Sequence, residues 1–380
     1  MKLLFYLSLI FLFYTYCGYI LFMSILARLR KDKAVDKQPI TPLISVVIAA
    51  YNEEKNIGGK LNDIINLDYP REKMEVFVVS DASSDATDEI VSGFAGRGVK
   101  LLRLEKRSGK IAAYRKALPQ IKGEIVVFSD ATSVLTHNSL ANLVSNFNDK
   151  SVGCVGGLLT YINPKRALVG KGENKYWQYE KRVIELESRL ASLTSVSGTL
   201  YAVRKELYPL DIKDYLADDL IVPFNVVKKG YRVILEPQAV CYDYTTLSIN
   251  EEMAKRIRIT VQNIRGLIDQ PGILNPFKYG LYSFLVISHK LFRLLVPFFM
   301  AALLISNIFL LFHSSLFAFL LVLQIIFYLA NFYGYAISER YKFSTGKYLF
   351  YFGLSNYAIL MGIIQCIRGQ KVVTWETIRA

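Results

Sequence analysis

Residues 3–27 contain no charged side chain, and a helix needs only about 20 apolar residues to cross the hydrocarbon core of a bilayer. A chain that opens this way has to be built around a membrane. Arg28, Arg30, Lys31 and Lys33 follow at once, and basic residues beside a span favour the cytosolic side, so the following domain is expected there. A cleaved signal peptide would have a shorter apolar core and a small-residue cleavage site, and this stretch has neither. Three later segments, residues 291–312, 316–337 and 348–367, are also long enough to span, while residues 275–290, ending in His289 and Lys290, read as interfacial. Four full crossings would leave the basic tail at Arg368 and Lys371 outside, against the charge rule. Either one segment does not cross or the rule fails here, and the sequence leaves both open.

Between the apolar ends lies a different kind of sequence. Glu124-Ile-Val-Val-Phe-Ser-Asp130-Ala-Thr-Ser133 is an unbroken apolar run that stops on a carboxylate followed by small residues. Its length and its Val, Ile and Phe content predict a buried parallel strand. Glu75-Val-Phe-Val-Val-Ser-Asp81 ends the same way. Ligands of open α/β sheets collect beyond the carboxyl ends of the strands, so Asp81 and Asp130 are placed where a metal or a nucleotide would be met. Either aspartate alone could simply cap the next helix; two of them at one sheet edge point to a site.

In chain order, residues 44–50 form the first strand, running into Tyr51-Asn52-Glu53-Glu54 and an amphipathic helix for which Asn52 is a candidate cap. Residues 99–105 read as a third strand, followed by Arg107-Ser-Gly-Lys110, a basic turn opening a helix. This alternation predicts an α/β domain with a mostly parallel sheet covered by helices on both faces. After Val152 the pattern changes: Gly153, Gly156 and Gly157 stud an apolar strand, residues 173–192 form a helix, and Asp218-Asp219 open another. A further strand covers residues 231–240. In residues 251–268, Lys255, Arg258, Gln262 and Arg265 recur at helical spacing and so share one face, which could also lie on anionic lipid.

The formal charge of +14 raises the question of nucleic acid, but the basic residues are spread along the chain and gather beside apolar segments. That distribution fits a membrane surface better, and no nucleic-acid partner is expected. Four scattered cysteines give neither a disulfide framework nor zinc spacing, and three histidines make a histidine-based metal site improbable.

Taken in order, Ala49-Ala-Tyr51-Asn-Glu53, Val79-Ser-Asp81, Gly109-Lys110, Phe128-Ser-Asp130-Ala and Ala217-Asp218-Asp219 resemble the motifs of the family 2 glycosyltransferases, which have the GT-A fold. The resemblance covers residues 43 to about 245 and extends more loosely to the membrane part shared by chitin, hyaluronan, cellulose and poly-N-acetylglucosamine synthases. It implies a membrane helix at 1–30, a cytosolic GT-A domain at 43–245, amphipathic interfacial helices at 250–290, membrane helices at 291–367 and a tail at 368–380. It also implies roles. Asp81 would read the nucleotide base together with Ala49, Tyr51 and Glu53, Lys110 would approach the diphosphate, and Asp130 would bind Mn2+ or Mg2+. Asp219 would be the general base toward the acceptor hydroxyl, with Asp218 as the alternative. The family's second metal carboxylate, two residues after the first, is replaced by Thr132.

Processive synthases of the family also carry Gln-x-x-Arg-Trp after the acidic pair. Here Arg258 is followed by Ile259, and in a second register Gln262 and Arg265 are followed by Gly266. Arg258, Gln262 and Arg265 are therefore candidates for the pyrophosphate or acceptor, and the missing tryptophan argues against processive polymerisation, unless Tyr176 or Trp177 supplies the flat surface. The expected activity is an inverting transfer from a nucleotide sugar, a UDP-sugar by preference, to a lipid-linked or membrane-delivered glycan acceptor in cell-surface polysaccharide synthesis. A processive synthase that exports its product is the alternative. A non-catalytic membrane scaffold is disfavoured because Asp81, Asp130 and Asp219 are all intact.

Overall fold

The structure is a computed structural model describing residues 1–30, 33–162, 170–244, 248–337 and 347–374. Its centre is an eight-stranded sheet in the order β3-β2-β1-β4-β7-β6-β8-β5. The strands are β1 (Ile44–Ala50), β2 (Met74–Ser80), β3 (Val99–Arg103), β4 (Ile125–Ser129), β5 (Val134–Leu135), β6 (Val152–Ile162), β7 (Leu200–Arg204) and β8 (Arg232–Tyr244). The half containing β3, β2, β1 and β4 is wholly parallel, as its β-α alternation requires. The other half is mixed: β7 runs antiparallel to both β4 and β6, and β5 runs antiparallel to β8.

Alternation along β1 explains the two-layered core. Val47 and Ala49 point into one cluster with Phe77, Val79, Phe128 and Tyr201. Ile44, Val46, Ile48 and Ala50 point into the other with Val76, Val78 and Val127. Helix α1 (Lys2–Leu29) precedes the sheet; α2 (Ile57–Ile65) and α3 (Thr87–Ser92) follow β1 and β2. Helix α4 (Lys110–Ala117) covers the first face through Ile111, Ala113, Tyr114 and Ala117. The same face takes Leu267, Ile273, Tyr282 and Val286 from the membrane-proximal part of the chain. The sheet and the segments leading into the apolar helices therefore share one core.

Further helices are α5 (Ser139–Ser145), α6 (Gly170–Leu190), α7 (Asp218–Lys228), α8 (Ile249–Asp269), α9 (Leu281–Leu310), α10 (Ser315–Ile337) and α11 (Lys347–Ile367). The boundary expected between an interfacial segment and a span at residue 290 falls inside α9, which is continuous and contains a π-turn at Ile287–Leu291. Among the described residues, four helices, α1, α9, α10 and the 350–367 part of α11, are long and apolar enough to cross a membrane. Three of them pair lengthwise. Phe5 meets Phe317 while Phe11 stacks on Phe299, and the Tyr328 hydroxyl donates to the Met300 carbonyl.

Helix α11 behaves differently. Its first turns meet this bundle through Phe352 against Tyr16 and Phe327. The rest then follows α8: Arg256 bonds the Tyr351 hydroxyl, a Cβ on Gly362 would run into Thr260, and Arg265 donates to the Cys366 carbonyl at 3.1 Å. The basic tail consequently returns to the sheet domain, with Lys371 4.7 Å from the Tyr215 ring centre and the Val373 carbonyl against Gly109.

Where α1, α6 and α9 meet, buried ions are matched in a network. His289 lies 2.6 Å from Glu187 through Nδ1 and 3.2 Å from Glu180 through Nε2; Arg293 also pairs with Glu180, and the Tyr19 hydroxyl donates to Glu187.

Candidate active site

The strand ends of β1, β2 and β4 open toward one edge, where short polar loops are held by side chain to backbone bonds. Asn52 does not cap α2, which begins five residues later. It takes a left-handed conformation, φ 52°, accessible to Asn because its short side chain can bond locally. Its N–H donates to the Ser83 hydroxyl at 3.1 Å and its Oδ1 accepts from the Ser84 N–H at 2.8 Å, which ties the first loop to the second. Glu53 is buried, with its carboxylate accepting from Asn56 at 2.8 Å. Ala49 is buried in β1, and the Tyr51 ring lies 3.9 Å beneath the Arg107 guanidinium.

Asp81 is fully buried and both its oxygens are engaged: Oδ1 accepts from the Ser108 N–H at 2.6 Å and Oδ2 from the Gly109 N–H at 2.9 Å. It therefore fixes the turn that starts α4. Gly109 sits at φ 92°, a conformation that needs glycine. Lys110, the first residue of α4, spans from there to β4. Its Nζ lies 2.7 Å from Asp130 Oδ1 and donates to the Gly198 carbonyl at 3.1 Å. Burial works to lower the Lys110 pKa, but the Asp130 carboxylate outweighs it and holds the amine well above its ordinary value.

The acidic pair opens α7, where carboxylates suit the positive end of the helix. Its two members point to different places. Asp218 is buried and accepts from the Tyr201 hydroxyl at 2.6 Å. Asp219 lies on the Lys110 side: a Cβ on Gly198 would sit 3.4 Å from Lys110 Nζ and 3.5 Å from Asp219 Oδ2. Burial first, and then the charge of Asp218, raise the Asp219 carboxyl from its ordinary value to about 6, while Lys110 and Lys290 pull against the rise. Lys290, from the π-turn of α9, also donates to the Ser195 hydroxyl at 2.6 Å; the next residue, Val196, donates its N–H to the Asp219 carbonyl at 2.9 Å. Nothing in the motifs marks Lys290 as part of the site, because only folding brings residue 290 beside residue 195.

On α8 the two arginine registers separate. Burial lowers the Arg258 pKa, opposed by the charges of Asp130 and Asp219, so Arg258 faces the site. Arg265 instead donates to the carbonyls of Cys366 and Gln370, at 3.1 and 3.3 Å, and ties the tail. Gln262 lies half-buried on the same helix. Lys255 donates to the Tyr161 hydroxyl at 3.2 Å. The side chains of Tyr176 and Trp177 lie outside the described residues. Among the described residues, no group of three or more His, Cys, Asp or Glu forms a metal cluster.

A carboxylate held above its ordinary pKa, a lysine bridged to a strand-end aspartate and a half-buried arginine thus lie close together. That arrangement suits displacement of an anionic leaving group by a hydroxyl. Residues 45–209 match the family described as Glycosyl transferase family 2. The chain carries a family 2 glycosyltransferase domain. Poly-beta-1,6-N-acetyl-D-glucosamine synthases of Staphylococcus aureus strain COL and Staphylococcus epidermidis are 24% and 25% identical to it, each over 57% of this chain and 53% of their own length. The chain thus spans about half the length of these curated relatives. In architecture the chain is similar to a mannosyltransferase from Pyrobaculum calidifontis solved in complex with GDP-Man and Mn2+, with a TM-score of 0.74 at 22% identity, over 97% of this chain and 100% of that one. The likeness supports the GT-A fold anticipated from the motifs.

Proposed function

We propose that this glycosyltransferase moves a sugar from a nucleotide-sugar donor, a UDP-sugar, to a lipid-linked or membrane-delivered acceptor, with inversion, as a step in making a cell-surface glycan. The observation that carries this reading is the meeting of Lys110, Asp130, Asp219 and Arg258 at a sheet edge covered by helices that continue into the membrane. An acceptor anchored in lipid would reach this space without leaving the bilayer surface.

In this reading Asp219 accepts the proton of the attacking hydroxyl, and a carboxyl titrating near 6 is largely ionised at neutral pH. Lys110 and Arg258 face the leaving diphosphate. Asp81 acts by fixing the loop that presents Lys110, and Ala49, Tyr51, Glu53 and Arg107 line the way to the nucleotide. Arg265 is assigned to the tail rather than to the diphosphate. Asp218 holds Tyr201 and is not the base. The oxygen donors at the end of β4, an Asp130 carboxylate about one-third exposed (34%) and the Thr132 hydroxyl, fit a hard divalent cation such as Mn2+ or Mg2+. Such an ion, when bound, would neutralise the diphosphate.

The contacts of α11 also bear on topology. We infer that α1, α9 and α10 cross the membrane and that α11 lies along α8 at its surface. The catalytic domain and the tail then share the cytosolic side, in agreement with the positive-inside rule.

The test is slow hydrolysis of a panel of nucleotide sugars by the purified full-length protein, with and without Mn2+, followed by transfer of the preferred sugar to a lipid extract. The expected result is Mn2+-stimulated release of one nucleoside diphosphate and labelling of a lipid-soluble product. Hydrolysis of none of the donors would overturn the reading.

A further inference from the structure

One carboxylate outside the site gathers three separate parts of the chain. Glu187, near the end of α6, is fully buried. Its Oε1 accepts from the Tyr19 hydroxyl of α1 at 2.9 Å and lies 2.6 Å from His289 Nδ1 of α9. Its Oε2 accepts from the Thr194 N–H at 3.2 Å and from the Thr194 hydroxyl at 3.1 Å. These contacts fill the acceptor places that an ionised carboxylate offers. Burial works to raise the Glu187 pKa, but His289 leads the charges and bonds that outweigh it and hold the carboxyl below its ordinary value. Such a group is costly to rearrange, because any partner that leaves exposes a buried charge.

What Glu187 holds is the segment that carries contacts to the site. The residue after Thr194 is Ser195, whose hydroxyl accepts from Lys290 Nζ at 2.6 Å. Val196 follows and donates its N–H to the Asp219 carbonyl at 2.9 Å, and the Gly198 carbonyl accepts from Lys110 Nζ at 3.1 Å. The same carboxylate fixes Lys290 from the other side. His289 and Lys290 are neighbours in the π-turn Ile287–Leu291, so pinning the ring sets the direction in which the lysine leaves the helix.

We propose that Glu187 is a positioning residue for transfer: by anchoring Thr194 and His289 together, it holds Lys290 and the Asp219 backbone in register with Lys110. The proposal rests on the reading of Asp219 as the base. It adds to that reading a residue of α6 that acts only through the residues it holds and that no motif marks.

The experiment follows transfer of labelled sugar from a UDP-sugar to a lipid extract by the purified full-length protein across a range of pH, with UDP affinity in Mn2+ and thermal unfolding recorded for every variant. Asp219 is faced by Asp218 of its own helix, Lys110 of α4, Asp130 at the β4 end, Arg258 of α8 and Lys290 of α9. Glu187→Gln keeps the shape and removes the charge of the anchor, which releases Lys290 from its place beside Asp219. The rising limb of the pH profile should then move to higher pH and the plateau rate should fall roughly tenfold, the scale on which a small misplacement is felt, while UDP affinity changes little. The sign separates the two effects of this variant, because loss of a negative charge acting directly on Asp219 would move the limb to lower pH. Thr194→Val removes a neutral hydroxyl and should move the limb to higher pH by less, and it decides the matter if Glu187→Gln fails to fold. Tyr14→Phe breaks the 2.8 Å bond between α1 and Ser288 of the same turn and should leave the limb in place. The proposal is overturned by a limb that stays still or moves to lower pH in Glu187→Gln, or by an unmoved limb in Thr194→Val where Glu187→Gln does not fold. An equal upward shift in Tyr14→Phe also overturns it, since any loosening between α1 and α9 would then suffice. If Asp219→Asn keeps the rate and the limb of the parent protein, the base reading itself falls, and this proposal with it.

Discussion

Tyr201 donates its hydroxyl to Asp218 at 2.6 Å inside the core, and this bond separates two neighbouring carboxylates that look equivalent in sequence. Tyr201 stacks on Phe128, whose ring centre is 4.9 Å away, and Tyr114 and Tyr208 pack against the same Phe128. Asp218 is therefore the polar end of an aromatic cluster, and Asp219 is the member left to face Lys110. Asp219→Asn should lower transfer by roughly 100- to 10,000-fold while donor affinity changes little, because the amide cannot take the acceptor proton. Asp218→Asn can still accept from Tyr201 and should cost transfer only a few-fold. Donor titration beside transfer rates checks both, and the opposite ranking would reverse the assignment.

The raised Asp219 pKa predicts a pH profile. A general base works when ionised, so transfer should climb as pH rises through about 6 and level off above it. Stability should move the other way. The folded state holds this proton more tightly than the unfolded chain, so the contribution is full below the ordinary carboxyl value and is lost as pH rises through about 6. Asp219 is faced by Asp218, Lys110, Asp130, Arg258 and Lys290, and of these Lys290 comes from the membrane layer. Lys290→Met removes a cation that favours the ionised form and should shift the rising limb to higher pH. Lys290→Arg should leave the limb near its original position. A limb that does not move in Lys290→Met counts against coupling between α9 and the base.

Much of this was legible in the chain. The four parallel strands announced themselves because buried strands are short apolar runs, and their terminal aspartates marked the open edge. Asp81 and Asp130 were singled out from the strand ends that carry them, and Lys110 and Asp219 from the resemblance to family 2 glycosyltransferases. Other features depend on contacts that local pattern does not carry. Asn52 looked like a helix cap, yet its partners are Ser83 and Ser84, more than thirty residues on. Arg258 and Arg265 are both basic residues on one helical face, and only α11 and the tail reveal which of them is taken. Helix α11 has the hydropathy of a span, but hydropathy says nothing about whether its polar neighbour is lipid headgroup or another helix.

The tail supplies a third prediction. At Gly109 a Cβ would strike the Val373 carbonyl, and φ 92° would be strained for any other residue. Gly109→Ala should therefore push the tail off the loop and distort the bonds from Ser108 and Gly109 to Asp81. Trypsin should cut after Arg368 and Lys371 faster in the variant than in the parent protein, and donor affinity should fall. Equal cleavage rates would show that the tail does not rest on this turn.

The two arginines of α8 make a fourth. Arg258→Met leaves Asp130 and Asp219 without one of their facing cations and should cut transfer by roughly 100-fold or more, the scale on which losing one stabiliser of developing charge is felt. Arg265→Met breaks the bonds to Cys366 and Gln370, so its main effect should be faster proteolysis of the tail, with a smaller loss of transfer. Parallel rate and proteolysis measurements separate them. Equal transfer losses with no change at the tail would place both arginines at the diphosphate.

Product length is the last prediction, and it turns on residue 259. An enzyme that adds sugar after sugar must hold the lengthened end against the site after each transfer, and a flat aromatic ring can stack on a pyranose while letting it slide. Ile259 follows Arg258 on α8 and is 42% exposed, so it offers apolar contact without such a face. Gly266, the equivalent in the other register, is buried against Leu220 and offers no side chain at all. Arg258 still faces Asp130 and Asp219, so on the proposed roles a single transfer should remain possible. The expected product at low acceptor turnover is therefore the acceptor plus a single sugar. Ile259→Trp should lengthen it if stacking is what is missing. Sizing the products decides the matter: a one-step shift fits this account, whereas long polymer beside unreacted acceptor in the parent protein means that another surface holds the chain.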